Sequence, residues 1–188
     1  LLVQAFGGVR VAEAAWSPEL AAALCFDALV FLAVGIGEET LSRGYVYGVI
    51  KRSGGIAAAV AVSSLLFALL HANNSGVFSG VFPMLNLTLA GVMLALLREW
   101  SGSLWAPIGA HIAWNFFQGN VFGMAVSGVK TASVLQVEKL NEFAAGGSFG
   151  LEGSFAATIV LVLVSAWLAL AIRQRTNRSA SSPADAAH

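Results

Sequence analysis

Charge is the scarcest thing in this sequence. Of its 188 residues, ten are Lys or Arg and ten are Asp or Glu, 11% together, where a soluble domain carries about 25%. That is too little to cover a water-facing surface. The two signs cancel, which removes the basic excess that nucleic-acid binding requires. Cysteine is nearly absent too: Cys25 stands alone, excluding an intrachain disulfide framework and any multi-cysteine zinc or iron–sulfur centre. As a small apolar side chain it reads as a core residue. What the chain has in excess is apolar surface, 57% hydrophobic residues with a mean hydropathy of +0.78. Disorder is excluded, and the solvent this composition suits is the lipid bilayer.

A membrane-crossing helix needs about 20 mostly apolar residues. The first such run follows Ser17-Pro18-Glu19, a capping residue with proline in the first helical position. It extends over 20–36 and on to Ile50, where Lys51-Arg52-Ser53-Gly54-Gly55 stops it. Further runs cover 56–72, 83–97, 104–117 and 155–172, the last free of charge. The expected fold is all-α: a polytopic integral membrane bundle of about five transmembrane helices. Residues 1–17 read as an interfacial or loop segment and 18–173 as the membrane domain. Residues 120–153 form a long extracytoplasmic loop, and 174–188 a disordered cytoplasmic tail rich in Ser and Ala.

Lys51, Arg52, Arg98, Arg173, Arg175 and Arg178 fall at alternate ends of successive runs, hence on one side of the membrane. The positive-inside rule makes that side cytoplasmic and puts the C-terminus there. Trp100 and Trp105 flank the third turn, as residues of an aromatic belt do.

Ionisable residues at membrane depth are costly and mark function by default. The set is short: Asp27, Glu38, Glu39, Arg43, His71 and His111. Glu39 precedes Arg43 by four residues, the favourable order for a helical ion pair. His111 and Asn115 share a helix face by the same spacing, as do Phe67 and His71. Glu38 is turned about 100° from Glu39, so both acids cannot face Arg43 equally. Buried polar pairs that merely join helices would account for any one of these contacts. The set is harder to explain that way, because the second glutamate is left without an obvious cation. A Glu, two His and an Asn converging from three helices on one water compose a hydrolytic site. Asp27 reads as a helix contact. The run Gly146-Gly147-Ser148-Phe149-Gly150-Leu151-Glu152-Gly153 lacks the Lys and Ser/Thr of a phosphate loop.

Glu38-Glu39-Thr40-Leu41-Ser42-Arg43 fits EExxxR, Phe67 to His71 fits FxxxH, and His111 to Asn115 fits HxxxN. In this order, within apolar helices, the trio resembles the signature of the CPBP family of intramembrane proteases. These are the type II CAAX prenyl endopeptidases and the bacteriocin-processing or self-immunity (Abi) proteins. The resemblance covers roughly residues 20–120, and the family's usual additional N-terminal helices make an N-terminally truncated member the expectation. It implies an endopeptidase in a bacterial or archaeal cell membrane, acting on a membrane-associated peptide or protein, prenylated or bacteriocin-like. Glu38 would activate water with His71 as its partner, and His111 and Asn115 would hold the oxyanion. Glu39 and Arg43 would support the first helix, with Phe67 a further supporting residue.

The runner-up is a non-catalytic membrane immunity or binding scaffold using the same pocket. No cofactor is favoured. Zinc, if used, would take Glu38, His71 and His111 as ligands. A separate base would then be needed, and Glu39, occupied by Arg43, is poorly placed to serve. The metal-free scheme uses each motif residue once and is the preferred expectation.

Overall fold

The computed structural model describes residues 2–5 and 7–181. Helix α1 (Leu2–Ala5) and strand β1 (Val9–Ala14) precede the helix α2 (Pro18–Glu39), which runs through a π-helical turn (Thr40–Val46) into α3 (Tyr47–Leu70). Then follow α4 (Phe82–Ser101), α5 (Trp105–Phe116) with a π-helical extension (Phe117–Val121), β2 (Leu135–Lys139), α6 (Glu142–Ala145), two 3₁₀ turns (Gly147–Phe149 and Leu151–Gly153) and α7 (Phe155–Ser181). The Ser17 hydroxyl accepts from the Leu20 N–H at 3.1 Å and Pro18 opens α2, both as the sequence predicts.

Helix α2 continues through the π-helical turn into α3, and α3 is itself two helices that meet at a kink at Gly55. Gly55 has φ 76° and ψ −177°, a backbone open to glycine and strained for other residues. Beyond it the chain returns along itself. The Arg43 guanidinium sits 4.4 Å from the Phe67 ring, two residues that a straight helix would hold roughly 36 Å apart. Tyr47 and Ala59 pack together with Ala95 across the reversal. The first helix therefore ends within the expected Lys51–Gly55 stop, staying helical up to Gly54 and reversing at Gly55. One glycine, not five residues, makes the turn.

Among the described residues, three helical stretches are long and apolar enough to cross a membrane: Pro18–Leu70, Phe82–Ser101 and Phe155–Arg178. The 12-residue α5 does not reach that length, so the expected count of five spans is not matched helix for helix. Two of those runs lie in the single folded-back stretch, and a fourth divides between α5 and its π-helical extension. The molecule is a mainly helical integral membrane bundle. Most of its large exposed side chains are apolar, Phe26, Leu29, Leu65, Leu69 and Trp167 among them, the surface that lipid wets.

Within the expected interfacial or loop segment 1–17, Val9–Ala14 form a strand. Strand β1 pairs antiparallel with β2, Val9 opposite Lys139 and Val11 opposite Val137, and Arg10 bridges Glu138 at 2.5 Å. Two strands this short, joined across more than a hundred residues, have no helix-length apolar run to announce them. The segment 120–153 is likewise structured, holding β2, α6 and both 3₁₀ turns. The start of the expected disordered tail is helical through Ser181, because Arg175 docks on Trp100 by a hydrogen bond to its carbonyl (2.7 Å) and by stacking on its ring (4.8 Å). The rest of that tail lies outside the described residues. Cys25, expected in the core, is exposed, on a helix whose neighbours Phe26 and Leu29 also face outward.

Candidate active site

Helix α2 brings the two adjacent glutamates to the centre of the bundle and turns them to different partners. Glu39 is fully buried; its Oε1 accepts from Arg43 Nη1 at 2.8 Å and lies 2.9 Å from His111 Nδ1. Arg43, also fully buried, donates its other Nη to the Gly91 carbonyl on α4 at 2.9 Å. One carboxylate thus links α2, its π-helical turn and α5, and the guanidinium carries the link to α4. Gly35, one turn before Glu39, makes the approach of α2 to α5 feasible: a Cβ there would stand 2.5 Å from Ile112 Cγ1. Arg43 lies within the π-helical turn, and a second π-helical segment follows Asn115. Such departures from α geometry gather at functional sites.

Glu38 points elsewhere. Its Oε2 is 3.8 Å from His71 Nε2, too far for a direct hydrogen bond and the span that one water bridges. That oxygen is enclosed and has no hydrogen-bond partner among the described residues. His71 caps the end of α3, and its Nδ1 lies 2.8 Å from the Phe67 carbonyl. A carbonyl only accepts, so Nδ1 carries the proton and Nε2 is left to face Glu38. The same reasoning puts the His111 Nδ1 proton on the bond to Glu39 and frees its Nε2.

Phe67 holds this arrangement together. Its ring lies 4.8 Å from His71, 5.8 Å edge-on from His111, and under the Arg43 guanidinium. His71, His111 and Asn115 line one cavity with Phe67 and Trp114. At about 40 Å³ it has room for a few waters. Asp27 stands apart, accepting from Asn120 Nδ2 at 2.7 Å as a contact between α2 and the π-helical extension of α5.

Residues 20–117 match the model of the family described as type II CAAX prenyl endopeptidase Rce1-like. The chain belongs to this family. It is therefore a member of the CPBP intramembrane proteases, and its helices are those of an integral membrane protein. No curated protein and no solved structure matches the chain.

Each histidine of this Rce1-like site has its Nδ1 tied to an oxygen and its Nε2 free, the way metal-binding imidazoles are prepared. Among the described residues no three His, Cys, Asp or Glu side chains gather into a metal-ligand set.

Three cavity residues escape a sequence reading: Asn86, Ser127 and Glu152. Glu152 arrives from the second 3₁₀ turn, outside the family match. Its Oε2 accepts from the Ser127 N–H at 2.5 Å and the Ser127 hydroxyl at 3.1 Å. Burial pushes its carboxyl above the usual carboxylate range, while the Ser127 bonds and the nearby His71 and His111 pull it down. The available signal was the glycine-rich run around it, a loop able to press closely against other backbone.

Proposed function

We propose that this chain is an intramembrane endopeptidase that hydrolyses a peptide bond in a membrane-associated peptide or protein through a glutamate- and histidine-held water. The observation that carries the reading is the gap between Glu38 Oε2 and His71 Nε2, 3.8 Å wide and bounded by two acceptors. A water there gives one hydrogen to the carboxylate and the other to the imidazole, and its oxygen turns a lone pair toward a substrate carbonyl. Glu38 takes the proton as attack proceeds. Asn115 offers amide N–H donors to the developing oxyanion without adding a buried charge. His111 joins it when doubly protonated, with Glu39 offsetting part of the added charge.

Glu38→Gln keeps the shape and removes the base. Comparative peptidomics of membranes carrying the native chain or Glu38→Gln tests the reading: peptides cut only by the native chain support it. A scaffold or immunity protein using the same pocket predicts the same peptides and phenotype from both. Membership of the Rce1-like family favours a prenylated or otherwise lipid-anchored substrate, and a bacteriocin-like precursor would satisfy the same site. The chemistry needs no metal in this reading. Stoichiometric zinc in active protein, with activity lost on its removal and regained on its return, would overturn that part.

We further propose five crossings in a bacterial or archaeal cell membrane, with the Gly55 reversal, Arg98 and the C-terminal arginines in the cytoplasm. The distribution of Lys and Arg supports this. Labelling of Ser53→Cys, in a Cys25→Ala background, from the cytoplasmic face alone is the expected result; labelling from outside reverses the topology.

A further inference from the structure

Glu152 is a half-buried titratable group with no task in the scheme above, and it is held with more care than a loop residue needs. Its side chain is bonded twice by Ser127, a non-glycine residue at φ 47°, a backbone conformation that costs free energy to hold. Its backbone is pinned from α4: Asn86 Nδ2 donates to the Glu152 carbonyl at 2.7 Å and to the Ser154 carbonyl at 2.9 Å, and Thr158 on α7 fixes the Asn86 amide at 2.7 Å. Phe149, fully buried in one apolar cluster with Phe67 and Ala68, ties the same loop to the helix that carries His71. Both Ser127 bonds go to Oε2, which leaves Oε1 uncommitted. Glu152 is the carboxyl of the cavity that His71, His111 and Asn115 line.

Peptide hydrolysis needs a proton delivered as well as one removed, because an amine does not leave as its anion. We propose that Glu152 is the general acid of this site, donating its proton to the leaving amine nitrogen. The inference rests on the protease reading above. Water adds to the carbonyl carbon as Glu38 accepts one of its protons. The carbon–nitrogen bond then breaks as the Glu152 proton moves to nitrogen, leaving a free amine, a carboxylic acid and the Glu152 carboxylate. Water in the cavity returns the Glu38 proton to Glu152, and both groups regain their starting states. Burial favours the neutral form that this task requires; the titratable groups acting on it are His71 and His111, and Glu38 Oε2 lies 3.8 Å from His71 Nε2.

The test uses the full chain in proteoliposomes with two probes. One is a peptide cut in the native membranes; the other is the 4-nitrophenyl ester of its acyl half, whose leaving group departs without a proton. Glu152→Gln is expected to lower kcat on the peptide about 10²- to 10⁴-fold while ester cleavage stays within a few-fold. Difference infrared spectra at neutral pH are expected to show a protonated-carboxyl stretch that Glu152→Gln removes and Glu38→Gln keeps. Ser127→Ala, which removes one donor to the carboxylate, is expected to move the alkaline limb of the peptide kcat profile upward and leave the ester profile in place. Equal losses on both probes, no loss on either, an unmoved limb, or a missing infrared band overturns the proposal. A native chain that cuts neither probe overturns the protease reading, and the acid role falls with it.

Discussion

Glu39 Oε1 and His111 Nδ1 lie 2.9 Å apart, and the same oxygen takes Arg43 Nη1 at 2.8 Å. An imidazole so held cannot rotate, and its Nε2 keeps one direction. The three groups are buried together, so removing one strands the others' charge. Arg43→Met is expected to cost about 3–5 kcal/mol, the usual result of leaving a buried charge unpaired. Arg43→Met with Glu39→Gln should recover part of it. Thermal unfolding of the detergent-solubilised chain measures both.

Glu38→Gln should separate chemistry from stability. Its side chain is about one-third accessible (32%) and makes no direct hydrogen bond among the described residues. The variant should unfold at nearly the native Tm while kcat falls about 10²- to 10⁴-fold. A matching fall in Tm would assign Glu38 a structural role instead.

Asn115→Ala is expected to reduce kcat about 10²- to 10³-fold with little change in KM, the pattern of a donor that strengthens only as the oxyanion forms. Steady-state kinetics on the identified peptide provide the check. A rise in KM alone would make Asn115 a substrate-binding group.

Gly35→Ala drives a methyl group to 2.5 Å from Ile112 Cγ1 and should cost about 1–3 kcal/mol, spreading α2 from α5 and lengthening the Glu39–His111 contact. Ile112→Ala removes the obstructing atom. The double variant should regain stability and activity over Gly35→Ala, as a double-mutant cycle in Tm and kcat would register.

Glu152 gives stability a pH dependence. Its carboxyl is raised above the ordinary value of 4.5 in the folded chain, so the folded state holds a proton that the unfolded state has released. The contribution is full below about 4.5 and is lost as pH rises through the folded value. The Tm of the native chain, compared with Glu152→Gln, should therefore decline from acid toward neutral and alkaline pH. A difference that grows in the opposite direction would contradict the raised position of this carboxyl.

The sequence by itself determined the solvent, the helical class and the three motifs. Each is a local property: scarce charge excludes a water-facing surface, apolar runs demand helices, and four-residue spacing puts Glu39 beside Arg43 and His111 on the face of Asn115. Spacing within a helix is silent about which helices meet. The tertiary structure decided that Glu39, already paired with Arg43, also takes His111, and that Glu38 is the acid left facing His71. It decided that Phe67 touches both histidines and Arg43, and that a single glycine, Gly55, folds the first long helix back to make this so. The pairing of β1 with β2 and the arrival of Glu152 beside Ser127 were beyond local pattern altogether. Both depend on a long segment folding against the bundle, and a contact between residues far apart in the chain leaves no period in the sequence from which to read it.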